Sequence, residues 1–107
     1  MKDDVTLLQS YVLSRSESDF AELVRRHVNL VYSCALRQVN GDVHLAQDAT
    51  QLVFAALASP ASSLGNQRVL AGWLLTSTRF AASKLVRGEE RRRRRDQEAD
   101  SMQAMTR

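Results

Sequence analysis

Leu45-Ala46-Gln47-Asp48-Ala49-Thr50-Gln51-Leu52-Val53-Phe54 is the stretch whose reading decides the fold. At about 3.6 residues per turn, Leu45, Ala49, Leu52, Val53, Ala56 and Leu57 gather on one face, an apolar stripe that needs a core to lie against. Gln47, Asp48 and Gln51 gather on the opposite side. That outer stripe holds one charge and two amides, whereas solvated helix faces usually hold Glu and Lys, which form helices well and stay in water. Its amides and carboxylate offer directional donors and acceptors to another protein. On spacing alone, an ordinary wet face accounts for the pattern as well as a docking face does.

Working outward, Asn40-Gly41-Asp42 marks a junction. Gly41 suits a left-handed C-cap and Asp42 an N-cap, so one helix ends there and the next runs from about Val43 to Ala58. Upstream, Phe20, Leu23, Val24, His27, Val31, Cys34 and Ala35 recur at three- and four-residue steps and predict a helix from about Asp19 to Val39. Arg25, Arg26, Asn29, Ser33 and Arg37 lie off its stripe. Before it, Ser14-Arg15-Ser16-Glu17-Ser18 is a polar break with Ser16 or Ser18 as cap. A first helix over residues 4–15 precedes the break, with Val5, Leu8 and Val12 as its apolar side and Leu7 and Tyr11 as further candidates. Downstream, residues 59–67 form the one long loop, which holds the sole proline, Pro60, and many small polar residues. The last helix begins near Arg68. Leu70, Trp73, Leu74, Ser77, Ala81 and Leu85 form its inner stripe; Thr76, Arg79, Ser83 and Arg87 line another side, with Phe80 on the border. Beyond Gly88, which loosens the helix, Glu89–Arg93, Glu90–Arg94 and Arg92–Asp96 have supporting i,i+4 spacing. The apolar pattern is lost after Asp96. The expectation is an all-α, compact bundle of about four helices over residues 1–95, with residues 96–107 as the start of an interdomain linker or a tail.

The bulk composition agrees with this reading. The chain has 107 residues, enough for one domain with a small core, and only 4 Gly and 1 Pro. One cysteine, Cys34, cannot form an internal disulfide and suits a reducing interior. With no signal peptide and no apolar run near the roughly 20 residues that span a bilayer, the cytoplasm is the expected setting and no membrane partner is expected. Charge is unevenly spread: residues 1–78 hold 6 Lys/Arg against 7 Asp/Glu, and residues 79–107 hold 9 against 5. A basic C-terminal end points to an anionic partner, most often nucleic acid. The five-arginine run Arg91–Arg95 also fits a solvated helix end stapled by flanking acids.

Catalytic patterns are missing. There is no Gly-rich phosphate loop, no His-Glu-x-x-His and no nucleophile elbow, so no enzymatic activity and no cofactor are expected. His27 and Cys34 share a face but are separated by about 10 Å of helical rise, too far for one metal ion. His27 reads as a core or boundary histidine, Cys34 as a small buried hydrophobe, His44 as solvated and Trp73 as core. Aromatics are few, which argues against a groove stacking many bases.

Phe20-Ala21-Glu22-Leu23-Val24-Arg25-Arg26-His27, then Leu45 to Phe54, then Ala71-Gly72-Trp73-Leu74 followed by Arg79, Arg87 and the arginine run, together resemble region 2 of bacterial RNA polymerase sigma factors of the extracytoplasmic-function group. The likeness covers about residues 17–95, and its central motif is usually Ala-Glu-Asp-Leu-Thr-Gln-Glu-Val-Phe. The resemblance implies that Asp48 and Gln51 dock on the clamp helices of the polymerase β′ subunit, with Gln47 standing where the family has Glu. It implies that the last helix and its preceding loop melt the promoter −10 element and hold the non-template strand. The DNA-facing residues would be Ser62, Ser63, Asn66, Gln67 and Arg68 in the loop and Thr76, Arg79, Phe80, Ser83, Lys84, Arg87 and Arg91 on the helix, with Trp73 beside them. An anti-sigma factor is a further candidate partner.

Two departures bear on base preference: the family commonly has Asn at Phe80 and Asp at Lys84. No helix-turn-helix for a −35 element follows residue 95, which suits an excised domain of a longer protein. The rival readings are a helical protein-interaction module without DNA contact and a repressor-type reader of intact duplex.

Overall fold

The structure, a computed structural model, describes residues 1–59 and 69–106. Its four helices are α1 (Asp4–Ser14), α2 (Glu17–Gln38), α3 (Val43–Ala58) and α4 (Leu70–Met105). The described residues contain no strand, and the all-α bundle follows from that. Two of the helix starts carry a side-chain cap, whereas Ser16 at the start of α2 and Val69 at the start of α4 make no capping hydrogen bond. The Asp3 carboxylate accepts from the Thr6 amide at 2.8 Å and caps α1. Asp42 does the same for α3 through the Leu45 amide at 3.1 Å. Between α2 and α3, Gly41 takes the expected left-handed backbone, φ 82°, and Asn40 before it is left-handed as well, φ 55°. The Gly41 amide donates to the Leu36 carbonyl at 2.9 Å, so the pair closes α2 as a Schellman turn.

α2 is the central strut, packed on α1, α3 and α4, while α3 and α4 also pack on each other. The main core joins Leu7, Leu23, Val31, Val53, Phe54, Leu57, Leu70, Trp73 and Leu74. A second cluster is built from Ala35, Val39, Ala46, Ala49 and Ala82. Cys34 lies buried at 2 % exposure and is a free thiol, as its place on the α2 stripe predicts. Thr78 is the fully buried polar residue of the core; its hydroxyl donates back to the Leu74 carbonyl at 2.6 Å.

α1 is tied to α2 by charge. Arg26 Nη1 donates to Asp4 Oδ1 at 3.2 Å, and the other Asp4 oxygen lies 2.8 Å from His27 Nε2. Arg26 Nε also reaches Glu22 at 3.1 Å, Arg25 pairs with Glu22, and Lys2 Nζ meets Asp19 at 3.1 Å. His27 is therefore a boundary histidine with a carboxylate partner. The rings of Tyr11 and Phe20 add an aromatic contact, 4.6 Å between centroids.

Several inward assignments change. On α1 the buried residue is Leu7, whereas Val5 and Val12 are exposed. The Asp3 cap and the Asp4 pairs fix the rotation of this short helix, and that rotation brings Leu7 and Tyr11 toward α2. On α3, Leu52 and Ala56 face outward, and Ala46 and Phe54 take core places instead. On α4, Thr78 and Ala82 are buried while Ser77 is only half-buried. The segment after Asp96 is helical to Met105, with every described residue from Glu90 onward exposed. It lacks an apolar stripe because it has no core beside it, not because the helix has stopped. At about 1.5 Å per residue, the 36 residues of α4 extend about 54 Å.

Trp73 is 7 % exposed within the main core. Trp73→Ala is expected to destabilise the chain by about 3–5 kcal/mol, read from denaturant unfolding. Acid should loosen α1. The Asp3 carboxyl is held below its ordinary value of 3.8, first by hydrogen bonding to the Thr6 side chain and then to the Thr6 amide. Asp19 is lowered first by the Ser10 hydroxyl and then by Lys2. A carboxyl lowered in the folded chain contributes stability that is present above its unfolded value and lost as the pH falls through the folded one. Melting temperature followed downward through pH 3.8 should therefore fall less steeply in Asp19→Asn than in the parent chain.

Candidate polymerase and nucleic-acid interface

Two outward faces carry the residues singled out by sequence. On α3, Gln47, Asp48 and Gln51 are all exposed, opposite the buried Ala46, Ala49 and Val53. Their side chains form no hydrogen bond or ion pair with any described residue, so their polar groups face solvent and are available to another molecule. Thr50, by contrast, spends its hydroxyl on the Ala46 carbonyl at 2.8 Å.

On α4, Thr76, Arg79, Phe80, Ser83, Lys84, Arg87 and Arg91 are exposed, and Trp73 faces inward. Helical spacing sorts them. Phe80, Lys84, Arg87 and Arg91 follow one another at four-, three- and four-residue steps along one ridge, while Thr76, Arg79 and Ser83 lie beside it. Phe80 is 70 % exposed. Its border position on the sequence stripe thus resolves outward, not inward beside Trp73: Leu74, Thr78 and Ala82 occupy the inner positions. Arg79, Lys84, Arg87 and Arg91 form no ion pair with any described residue; in the arginine run only Arg92 does, with Glu89 at 3.5 Å. A ridge of unpaired cations one turn apart, headed by an exposed ring, can hold phosphates along its length and stack one base at its end.

Ser62, Ser63, Asn66, Gln67 and Arg68 lie outside the described residues. Of the two faces, α3's is the one that sequence reasoning drew incompletely. Exposed Leu52, Ala55 and Ala56 continue the outer side of α3 beyond Gln51. Among the described residues no cluster of His, Cys, Asp or Glu could hold a metal ion, and no helix is long and apolar enough to cross a membrane.

These observations define an all-helical domain with one exposed side that is rich in amides and carries a single carboxylate, and one exposed side that is cationic and headed by an aromatic ring. Residues 23–93 match the family model of sigma-70 region 2, and the chain belongs to that family. Its domains are non-enzymatic parts of transcription initiation factors, which act with RNA polymerase at promoter DNA. Comparison with curated proteins and with solved structures finds no match.

The exposure of Asp48 and Gln51 gives a direct expectation. The double substitution Asp48→Ala with Gln51→Ala should change unfolding free energy by about 0.5 kcal/mol or less, because exposed substitutions away from caps and pairs seldom do more. A thermal melt monitored by circular dichroism checks it.

Proposed function

We propose that this chain is a region 2 domain of the extracytoplasmic-function type. It docks on the β′ clamp helices of core RNA polymerase through Gln47, Asp48 and Gln51, and it holds the opened non-template strand of the −10 element against α4. The observation that carries the DNA half is the α4 ridge: Phe80 70 % exposed, with Lys84, Arg87 and Arg91 forming no ion pair behind it. A melted strand must be captured before it re-stacks, and a stacking ring followed by phosphate contacts supplies that capture.

Phe80 has no side-chain donor or acceptor, so it binds any base through its face and selects none. Selection of the base falls to polar groups, and in this proposal those are Ser62, Ser63, Asn66, Gln67 and Arg68 of the loop. Thr76 and Ser83 offer hydroxyls beside the ridge, and Arg79 meets the backbone from the other flank.

The test uses single strands that differ at one base. Phe80→Ala should weaken all of them by about the same factor, and Asn66→Ala should narrow the differences among them. With about four cations on phosphates, log K against log salt should slope near −3, at about 0.7 per contact. A slope near zero, or unchanged affinity in Phe80→Ala, returns the arginines to a solvated face and leaves a protein-interaction module.

A further inference from the structure

α1 is apolar on both of its sides. Leu7 is buried and Leu8 and Tyr11 are half-buried on the side that meets α2. Asp4, the one charged residue of the helix, is spent there on Arg26 and His27. The opposite side exposes Val5, Thr6, Gln9, Val12 and Leu13, with Val5 at 51 %, Val12 at 64 % and Leu13 at 83 % exposure. Single exposed aliphatics are ordinary, but three on one side of an 11-residue helix make a patch. A helix that is apolar all round calls for a partner on each side. α2 covers the first side, and no described residue covers the second. The outer sides of α2 and α4 differ from it, the one clothed with Glu17, Arg25 and Arg37 and the other with a row of cations.

We propose that the outer side of α1 is a contact between two copies of this chain, in which two α1 helices pack antiparallel across a two-fold axis at Gln9. Position along the helix argues for this occupant and this direction. Val5 and Leu13 each stand four residues from Gln9, and Asp3 and Arg15 each stand six. Turning one copy over at Gln9 therefore brings its Val5 level with Leu13 of the second copy, and its Asp3 level with Arg15 of the second copy, each twice. Such a surface is self-complementary, as a two-fold contact requires. A parallel pair would instead set Asp3 level with Asp3 and Arg15 level with Arg15. Neither Asp3 nor Arg15 forms an ion pair with any described residue: Asp3 caps α1 through Oδ1, and the Arg15 guanidinium lies 5.2 Å from the centroid of the Tyr11 ring. Gln9, at the axis, carries donors and an acceptor on one amide and so pairs with its own copy. The antiparallel direction also sets the positive end of each helix dipole beside the negative end of the other. A face one helix wide and about 16 Å long buries less than the roughly 800 Å² per partner of a standard interface, so the pair is weak and forms at high concentration. This contact does not depend on the polymerase and strand roles proposed above.

The test is sedimentation equilibrium of the whole chain over a series from about 10 μM to about 1 mM, a range that brackets a weak contact. The expected result is a monomer that passes into a dimer as concentration rises. Leu13→Glu is expected to weaken the dimer about tenfold, by setting a charge against Val5. Arg15→Glu is expected to weaken it about fivefold, by setting like charges level at both ends. The Arg15→Glu loss should shrink in high salt and the Leu13→Glu loss should not. Leu13→Met should dimerise like the parent chain. Melting temperatures at low concentration should stay close to the parent value in all three, because both positions are exposed. A chain that stays monomeric over the whole series overturns the proposal. So does a dimer that Leu13→Glu and Arg15→Glu both leave intact, which places the contact elsewhere. A dimer that Leu13→Glu breaks and Arg15→Glu leaves unchanged at low salt overturns the antiparallel pairing. Binding of the monomer to anionic lipid vesicles that Leu13→Glu abolishes, with no dimer, would make the face a membrane contact and overturn it as well.

Discussion

Where α2, α3 and α4 meet, the core is made of methyl groups. Ala35, Ala46, Ala49 and Ala82 are buried to 1 % exposure or less, with Val39 beside them. Side chains this small let three helices lie close along one seam, and a close seam tolerates little rotation about any helix axis. A larger residue at one of these positions would force the helices apart, at a cost of about 1–3 kcal/mol from overpacking. The seam therefore fixes the angular setting of α3 and α4, and with it which residues of each meet solvent.

The two outer faces follow from that setting. On α3 the side opposite Ala46 and Ala49 is nearly uncharged and rich in amides and short aliphatics, a chemistry suited to a protein surface. On α4 the side opposite Leu74, Thr78 and Ala82 is cationic and begins with an aromatic ring, a chemistry suited to phosphates and bases. One helix, α4, thus supplies both the aromatic anchor of the core, Trp73, and the outward ring, Phe80. Seven residues apart, they differ by only about 20° around the helix axis, so their burial, 7 % exposure for Trp73 against 70 % for Phe80, is set by what lies beside each at its own height along α4. Trp73 lies at one margin of the buried stripe and Phe80 lies just past it.

The helices and their order were legible in the sequence because periodic apolar residues and the Asp42 cap are strong local signals. So were the exposure of Asp48 and Gln51 and of the α4 row. What was not legible lay at the borders of apolar stripes. Leu52 is as hydrophobic as Val53, and periodicity alone admits both; only the alanine seam, a tertiary contact, turns Leu52 outward and Phe54 inward. Val5 and Val12 were misplaced for the same reason, because α1 takes its rotation from Asp4 meeting Arg26 and His27 across twenty-two and twenty-three residues of chain. Thr78 passed unnoticed because a hydroxyl at a core position signals exposure until its bond to the preceding turn is seen. The helix beyond Asp96 was lost because the sign being read was burial, and an isolated helix has none. Loop residues Ser62 to Arg68 remain a sequence-level assignment.

Cys34, the only thiol, is sealed where α2 faces the rest of the bundle. A thiol reagent reaches it only when the helices part, so the rate at which the folded chain is alkylated is a clock for that opening. The clock is silent about the ridge of α4 and the outer side of α3, which are exposed without any opening. A ligand that binds those faces and also slows the labelling of Cys34 would be one that holds the whole bundle shut from outside.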